Sequence, residues 1–353
     1  MPVYKDTERN TWFVKFSYTD WNGKNKVVKK RGFQQKRQAE NWEREYKLKL
    51  DGDTSMLFKD FIDIYKSEYL SRLRKTTFEV KTNIINNYIV PFFGEMSLNE
   101  ISASDIIIWQ NGLLRNENGK NLSQSYLATV HAILSAIFNY ACKHYHLESN
   151  PAYKAGRIGS LKRVKDDFWT TDQYESFIDA VGKDSPIYYP FEMLYWSGIR
   201  TGELLALTTD DFDFSHDSIT VSKTLHKIKG EVINYPPKTQ NGYRIVKIPH
   251  TLSVELKAYI EANAVEKHST VFKCNKSELR AGMDKATKKA NLPRIRLHDL
   301  RHSHVSLLLK LHYSPVAIGE RMGHSSAYIT LRYAHGSQET QKQMAESLND
   351  CMN

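Results

Sequence analysis

Residues 297–335, LHDLRHSHVSLLLKLHYSPVAIGERMGHSSAYITLRYAH, decide how the rest of the chain is read. His298 and Arg301 stand three residues apart at a helix start, so both side chains can leave the helix on one face. Gly323-His324 and Tyr333 each follow an apolar helical run. One cation to hold an anion, two imidazoles to carry protons and one nucleophilic hydroxyl form a set that needs no metal. Everything else in the chain reads as a means of bringing a substrate to it.

The length of 353 residues exceeds one typical domain, and 41% hydrophobic content is enough for two or three cores. Lys and Arg outnumber Asp and Glu by 50 to 40, and the sequence pI is 9.2, which points to a polyanionic partner. The excess is uneven: residues 1–50 hold 13 Lys/Arg against 6 Asp/Glu, a net of +7 out of +10. Cys142, Cys274 and Cys351 are too few and too scattered for a disulfide framework or a metal site, which fits a reducing cytosol. No apolar run approaches membrane-spanning length and no signal-peptide core is visible, so the chain reads as cytoplasmic with no membrane partner.

Trp12 to Tyr18 alternates apolar and polar residues, the turn Trp21-Asn22-Gly23-Lys24 follows, and Lys26 to Phe33 is a second β-like run. Gln35 to Leu50 then has helical spacing, with Ala39, Trp42, Tyr46 and Leu50 in one stripe. A small sheet with a helix across it, bearing Lys24, Lys26, Lys29, Lys30 and Arg31 on its second strand, suits a DNA groove. A solvated charged face would look the same. The break Asp51-Gly52-Asp53 closes this unit, and Thr54 or Ser55 is placed to cap the next helix. Four amphipathic helices follow: the stripe from Leu57 to Tyr65, Thr76 to Val90 closed by Pro91 and Gly94, Asp105 to Leu114, and Ser125 to Tyr145. Arg74, Lys75, Thr76, Thr77 and Lys81 gather where the second of these begins, able to grip phosphates, although capping alone would account for the threonines.

Asn150 to Lys165, NPAYKAGRIGSLKRVK, has no apolar period and reads as a flexible basic linker. Beyond it Thr171 to Ala180 and Tyr188 to Trp196 are helical. Ser218 to Thr224, Val232 to Tyr235 and Tyr243 to Ile248 form a small antiparallel sheet, with 236–242 as the turn between its last strands. After Pro249 the pattern is helical to near the end. The fold class is therefore α+β and multidomain: a small three-stranded sheet plus helix over 1–50, a four-helix unit over 54–150, a linker over 151–168, and a mainly α unit with a small antiparallel sheet over 169–353.

SGIRTGELLAL (197–207), PPKT (236–239), LHDLRHSH (297–304), MGHSS (322–326) and RYAH (332–335) resemble, in order and spacing, the signature boxes of tyrosine recombinases. The layout resembles the three-domain integrases of lambda-like phages, conjugative transposons and genomic islands. That resemblance implies an arm-type DNA-binding domain, a four-helix SAM-like core-binding domain and a catalytic domain. It also implies a site-specific recombinase that needs neither metal nor ATP, integrating or excising a mobile element through a 3′-phosphotyrosyl intermediate. Its partners would be duplex DNA at core and arm attachment sites, three further copies of itself in a tetramer, a directionality factor (excisionase) and a host DNA-bending protein. It would work in the bacterial cytoplasm at the nucleoid. No cofactor is implied.

The chemistry can be argued on the residues as well. Attack at a phosphodiester builds charge on the non-bridging oxygens and expels a deoxyribose oxygen, so cations and a proton donor are needed. Arg200 and Arg301 do the electrostatic work that metals do elsewhere, and the resemblance assigns them the same role. Glu203 is both an ion-pair partner and an orienting group for Arg200. The resemblance makes His298 the acid/base partner and His324 a phosphate ligand, with His302 and His304 as local alternatives to His298. It also places the catalytic lysine just before the last strand, at Lys238 rather than Lys223, Lys227 or Lys229, and the nucleophile at Tyr333 rather than Tyr328. A type IB topoisomerase shares this chemistry, and a catalytically inert DNA-binding relative shares the layout. The first lacks a reason for the basic N-terminal module; the second predicts the loss of at least one of the six residues.

Overall fold

The computed structural model describes residues 3–7, 9–19, 25–50, 54, 56–115, 122–160, 167–237 and 239–323. The chain divides into two compact units, Met1–Lys162 and Arg163–Asn353.

In the first unit, β1 (Val3–Asp6), β2 (Thr11–Thr19) and β3 (Asn25–Phe33) form an antiparallel sheet in that order, and α1 (Lys36–Leu50) follows. Residues with period-2 alternation pack on the helix: Val14 is fully buried, Phe16 lies 5.9 Å from the Tyr46 ring, and Phe33 lies 5.8 Å from Trp42. A bulge between Trp12 and Val14 shifts the β2–β3 register. It also splits the basic strand. Lys30 pairs with Val14 and covers Trp42, whereas Lys29 and Arg31 lie over Phe13 on the other face. The cations of β3 are therefore one cluster in sequence and two in space. Lys24 and the side chain of Lys26 lie outside the described residues.

The helical part comprises α2 (Phe58–Glu68), α3 (Lys75–Ile84), α4 (Val90–Phe93), α5 (Ala103–Leu114), α6 (Gln124–His144) and α7 (Pro151–Ala155) around a core that includes Phe58, Phe61, Phe93, Trp109, Leu134 and Phe138. Three expectations are corrected here. The cap of α2 is Leu57, with no side-chain hydrogen bond, so Thr54 does not serve; Ser55 lies outside the described residues. Pro91 does not end the second helix: the ladder shifts through a π turn at Ile85–Ile89, and Pro91 then falls in the first turn of α4, where its missing N–H costs little. Arg74 is the N-cap of α3, again without a side-chain bond, so Thr76 and Thr77 do not cap it.

Residues 151–160 are not a free tether. Asn150 caps α7 through its Oδ1, which accepts from the N–H groups of Ala152 and Tyr153, and Pro151 and Ala152 are buried. The short helix is too brief to show a period in sequence. α6 is also long and apolar enough to cross a membrane by length and composition, at a mean hydropathy of 1.2, contrary to the expectation that no run qualifies. Its apolar face is occupied by the core, through Leu127, Val130, Leu134, Ile137 and Phe138.

The second unit contains α8 (Thr171–Val181), α9 (Tyr188–Ser197), α10 (Thr201–Leu204), β4 (Phe212–Asp213), β5 (Ser218–Val221), β6 (Thr224–Ile228), β7 (Glu231–Tyr235), β8 (Arg244–Lys247), α11 (His250–Ala262), α12 (Lys276–Lys289), α13 (Asp299–Lys310) and α14 (Pro315–Met322). Capping boxes set two starts: Thr170 with Gln173 at α8, and Asn275 with Glu278 at α12, each contributing about 1 kcal/mol. The expected single sheet is two. β5 pairs with β4 and β8, while β6 and β7 form a separate hairpin. The strands on either side of 236–242, β7 and β8, thus belong to different sheets and do not pair as the expected hairpin; Lys238 itself lies outside the described residues. Alternation marks each strand but does not choose its partner.

Candidate active site

Gly198 closes α9 with φ of +68°, a left-handed conformation favoured by glycine, and there is no room for more: an added Cβ would sit 2.6 Å from His304 Cδ2 and 2.8 Å from Met322 Cε. The chain then turns so that Arg200 precedes α10 and Glu203 lies inside it. The Glu203 carboxylate accepts from the Arg200 backbone N–H at 2.9 Å and from its Nη1 at 2.7 Å, while the Arg200 side chain stays 41% exposed. The pair is an ion pair, bonded at one end of a guanidinium that is otherwise open to the solvent.

Arg301, in the first turn of α13, is 4% exposed. Its Nη1 donates to Gly198 O at 2.8 Å and its Nη2 to Met322 O at 2.6 Å, which ties α13 to the end of α9 and the end of α14. His298 is the N-cap of α13, with its ring 4.9 Å from that of His302. Partial desolvation, then His302, Arg301 and Arg200, hold its pKa well below the ordinary histidine value. The residue remains open to the cleft, so the flanking cations matter more than the burial. Without an anion in the cleft His298 is therefore neutral at pH 7, a proton acceptor rather than a carrier of charge.

The two alternative histidines separate in space. His304 is buried, its Nε2 accepts from Arg321 Nε at 3.1 Å, and burial followed by Arg321 pushes its pKa down to about 3. It is a packing histidine. His302 faces His298 and lies 3.7 Å from the buried Asp299. Among the rival lysines, Lys223 is held by Asp211 at 2.8 Å and Thr208 at 2.9 Å, and Lys229 sits in the β6–β7 turn. Lys238, His324, Tyr328 and Tyr333 lie outside the described residues.

A cleft of about 590 Å³ opens beside Arg200 and His298, and Lys276, Arg280, Arg294 and Arg296 line it as well. Sequence reading missed these four. Lys276 and Arg280 stand four apart on α12, a pattern shared with any solvated helix face; Arg294 and Arg296 are held by Asp284 and Asp299 at 2.8 Å. It also missed Arg244, whose side chain is 6% exposed, and the half-buried Arg321 that bonds His304. An Arg on the core side of a strand beside Val246 was the available signal. Among the described residues no group of three or more His, Cys, Asp or Glu could hold a metal ion. The cleft offers an anion the open Arg200 guanidinium, a neutral imidazole and a basic wall leading away, with Arg301 buried behind them on backbone carbonyls.

Elsewhere, Arg74 and Lys75 open α3 with Thr76 in its first turn, and Lys81 stands over the Tyr69 ring at 5.6 Å. They belong to the first unit.

Comparison with known proteins agrees over most of the chain. A model of the phage integrase family matches residues 167–340, a phage integrase N-terminal SAM-like domain matches 57–114, and an arm DNA-binding domain matches 2–50. ICEBs1 integrase of Bacillus subtilis is 29% identical over 314 residues, 84% of each chain. A putative prophage phiRv2 integrase of Mycobacterium tuberculosis is 24% identical over 275 residues, covering 75% of this chain and 71% of its own. In fold, the chain is similar to the Tn1549 transposon integrase in complex with transposon right end DNA, with a TM-score of 0.65, 21% identity and coverage of 82% and 98%. It is also similar to a lambda integrase tetramer bound to a Holliday junction, with a TM-score of 0.60, 17% identity and coverage of 96% and 97%.

Proposed function

From the premise that this chain belongs to the phage integrase family of tyrosine recombinases, we propose that it cuts and rejoins DNA at specific sites to move the element that encodes it. The observation that carries the reading is that Arg200 and His298, from segments about a hundred residues apart, line one cleft, while Arg301 in the first turn of the His298-capped helix is tied to the Gly198 carbonyl that leads into Arg200. Two oriented guanidinia with an adjacent neutral imidazole match a phosphodiester whose non-bridging oxygens gain charge in the transition state.

In this reading the Tyr333 hydroxyl attacks phosphorus and passes its proton to His298. The bond to the 5′ oxygen breaks, that oxygen takes a proton from Lys238, and a 3′-phosphotyrosyl link keeps the bond energy for rejoining. His324 holds a phosphate oxygen. Binding the phosphate places a negative charge beside His298 and raises its pKa, so the base becomes stronger when substrate arrives. Lys276, Arg280, Arg294 and Arg296 hold phosphates flanking the cut. Residues 1–50 form the arm-type DNA reader, 54–150 the core-binding domain with Arg74, Lys75, Thr76 and Lys81 at the backbone, and 169–353 the catalytic domain. Assembly as a tetramer on paired duplexes, a directionality factor, a host DNA-bending protein and work at the bacterial nucleoid belong to the same reading. The tetramer is supported by the likeness to lambda integrase.

The test is recombination by the purified full chain between duplexes carrying the junction sequences of its own element, with EDTA present and ATP absent. Recombinant product under those conditions is expected. Strand cleavage that EDTA abolishes would instead assign a metal-dependent nuclease.

A further inference from the structure

Arg244 opens β8 on the strand's core-facing side, and its side chain is 6% exposed. Its guanidinium spends its hydrogens on three different segments. Nη2 and Nη1 donate to the two Glu203 oxygens at 2.8 and 3.2 Å, Nη1 also donates to Gly242 O at 3.2 Å, and Nε donates to Arg321 O at 3.0 Å. Glu203 orients Arg200. Gly242 follows Lys238 by four residues, and Arg321 precedes His324 by three. The third link is tight: Gly323 closes α14 with φ of +64°, and a Cβ there would lie 2.5 Å from Asn241 O and 3.3 Å from Arg244 Nη1. Arg321 completes the circuit by donating from Nη2 to Lys247 O at 2.9 Å and to Trp196 O at 3.3 Å.

Arg244 is a second guanidinium on Glu203 and, unlike Arg200, a buried one that is costly to desolvate; the neighbouring inward position of the strand is apolar, so packing alone does not call for it. What it does provide is a fixed relation between three catalytic segments that are remote in sequence. We propose that Arg244 is a positioning residue: through Glu203 it aligns Arg200, and through Gly242 and Arg321 it holds the segments bearing Lys238 and His324 in register with it. The proposal rests on the reading that Arg200 stabilises a non-bridging phosphate oxygen.

The test uses the full chain, a nicked core-site duplex that cannot be rejoined, and the same duplex with a methylphosphonate at the scissile position. A methylphosphonate has a neutral methyl in place of one charged oxygen, so it depends less on an aligned arginine. On ordinary phosphate, Arg244→Met is expected to cleave roughly 100-fold more slowly with DNA binding within a few fold of the parent, as for a small misplacement of a catalytic group. On methylphosphonate the deficits of both Arg244→Met and Arg200→Ala should shrink to about 10-fold or less. If Arg200→Ala is rescued and Arg244→Met is not, Arg244 serves the fold alone and the proposal is overturned. If Arg200→Ala is not rescued, the underlying role of Arg200 fails, which is a separate result. Should Arg244→Met lose DNA binding, Arg244→Lys decides: it keeps a cation on Glu203 but cannot reach all three segments, so a smaller deficit, again relieved on methylphosphonate, is expected. Parental cleavage of ordinary phosphate by Arg244→Lys would overturn the proposal.

Discussion

Replacing Glu203 by Gln keeps the shape of the side chain and removes its charge. The residue is 5% exposed, and its oxygens accept from Arg200 at 2.7 and 2.9 Å and from Arg244 at 2.8 and 3.2 Å. Burial alone would raise its pKa, but the Arg244 and Arg200 guanidinia outweigh burial and hold it at about 2, against 4.5 for a free Glu side chain. At about 1.4 kcal/mol per unit that difference is worth about 3 kcal/mol of folding free energy, within the roughly 3–5 kcal/mol range for breaking a buried ion pair. For a unit of this size the melting temperature should fall by about 6–12 °C. Scanning calorimetry of the full chain, following the transition of the second unit, measures it.

The sign with pH is fixed. A carboxyl whose folded pKa is depressed contributes fully above the unfolded value near 4.5 and loses that contribution as pH falls toward 2. The gap between parent and Glu203→Gln should therefore be constant from pH 7 to 5 and narrow by about 1 kcal/mol by pH 4. A drop of less than about 2 °C at pH 7, or a gap that does not narrow, would refute the reasoning.

Gly198→Ala must place a Cβ against His304 and Met322 at positive φ, so a loss of about 2–4 kcal/mol is expected, with slowed cleavage because Arg301 bonds the Gly198 carbonyl. Unchanged thermal melting would contradict the packing described. Neutral replacement of Lys29, Lys30 and Arg31 should flatten the salt dependence of arm-site binding by about one unit of slope for each phosphate no longer neutralised, read by gel-shift titration. Lys29 and Arg31 should matter more than Lys30, which lies over Trp42 on the helix side. An unchanged slope would remove this sheet from the DNA. Deleting residues 1–50 should spare core-site cleavage and abolish integration, since a second DNA site acts by raising local concentration; parental integration by the truncated chain would refute the two-site reading.

Much of the fold and of the site is legible in the sequence. Long elements with one apolar face, such as α6 and α8, announce themselves by period, and the boxes around Arg200 and Arg301 point to the candidate site. What stays hidden depends on pairing at a distance. β5 bonds β8 across a hairpin that pairs only with itself, and alternation carries no partner label. Arg244 looks like one more surface cation in YRIVKI, yet it lies inside while Ile245 beside it is 68% exposed. Pro91 reads as a stop because the π turn that accommodates it has no sequence signature. His304 and His298 cannot be told apart by spacing; the partner Arg321, seventeen residues on from His304, separates them.

The most direct measurement concerns Tyr333. The full chain is incubated with a nicked, end-labelled core-site duplex and run on a denaturing gel, alongside Tyr333→Phe and Tyr328→Phe. The parent and Tyr328→Phe should form a protein–DNA adduct that peptide mapping assigns to Tyr333, and Tyr333→Phe should bind the site with near-parental affinity yet form none. An adduct that survives in Tyr333→Phe and vanishes in Tyr328→Phe would contradict the assignment, and no adduct from the parent chain would contradict the recombinase chemistry itself.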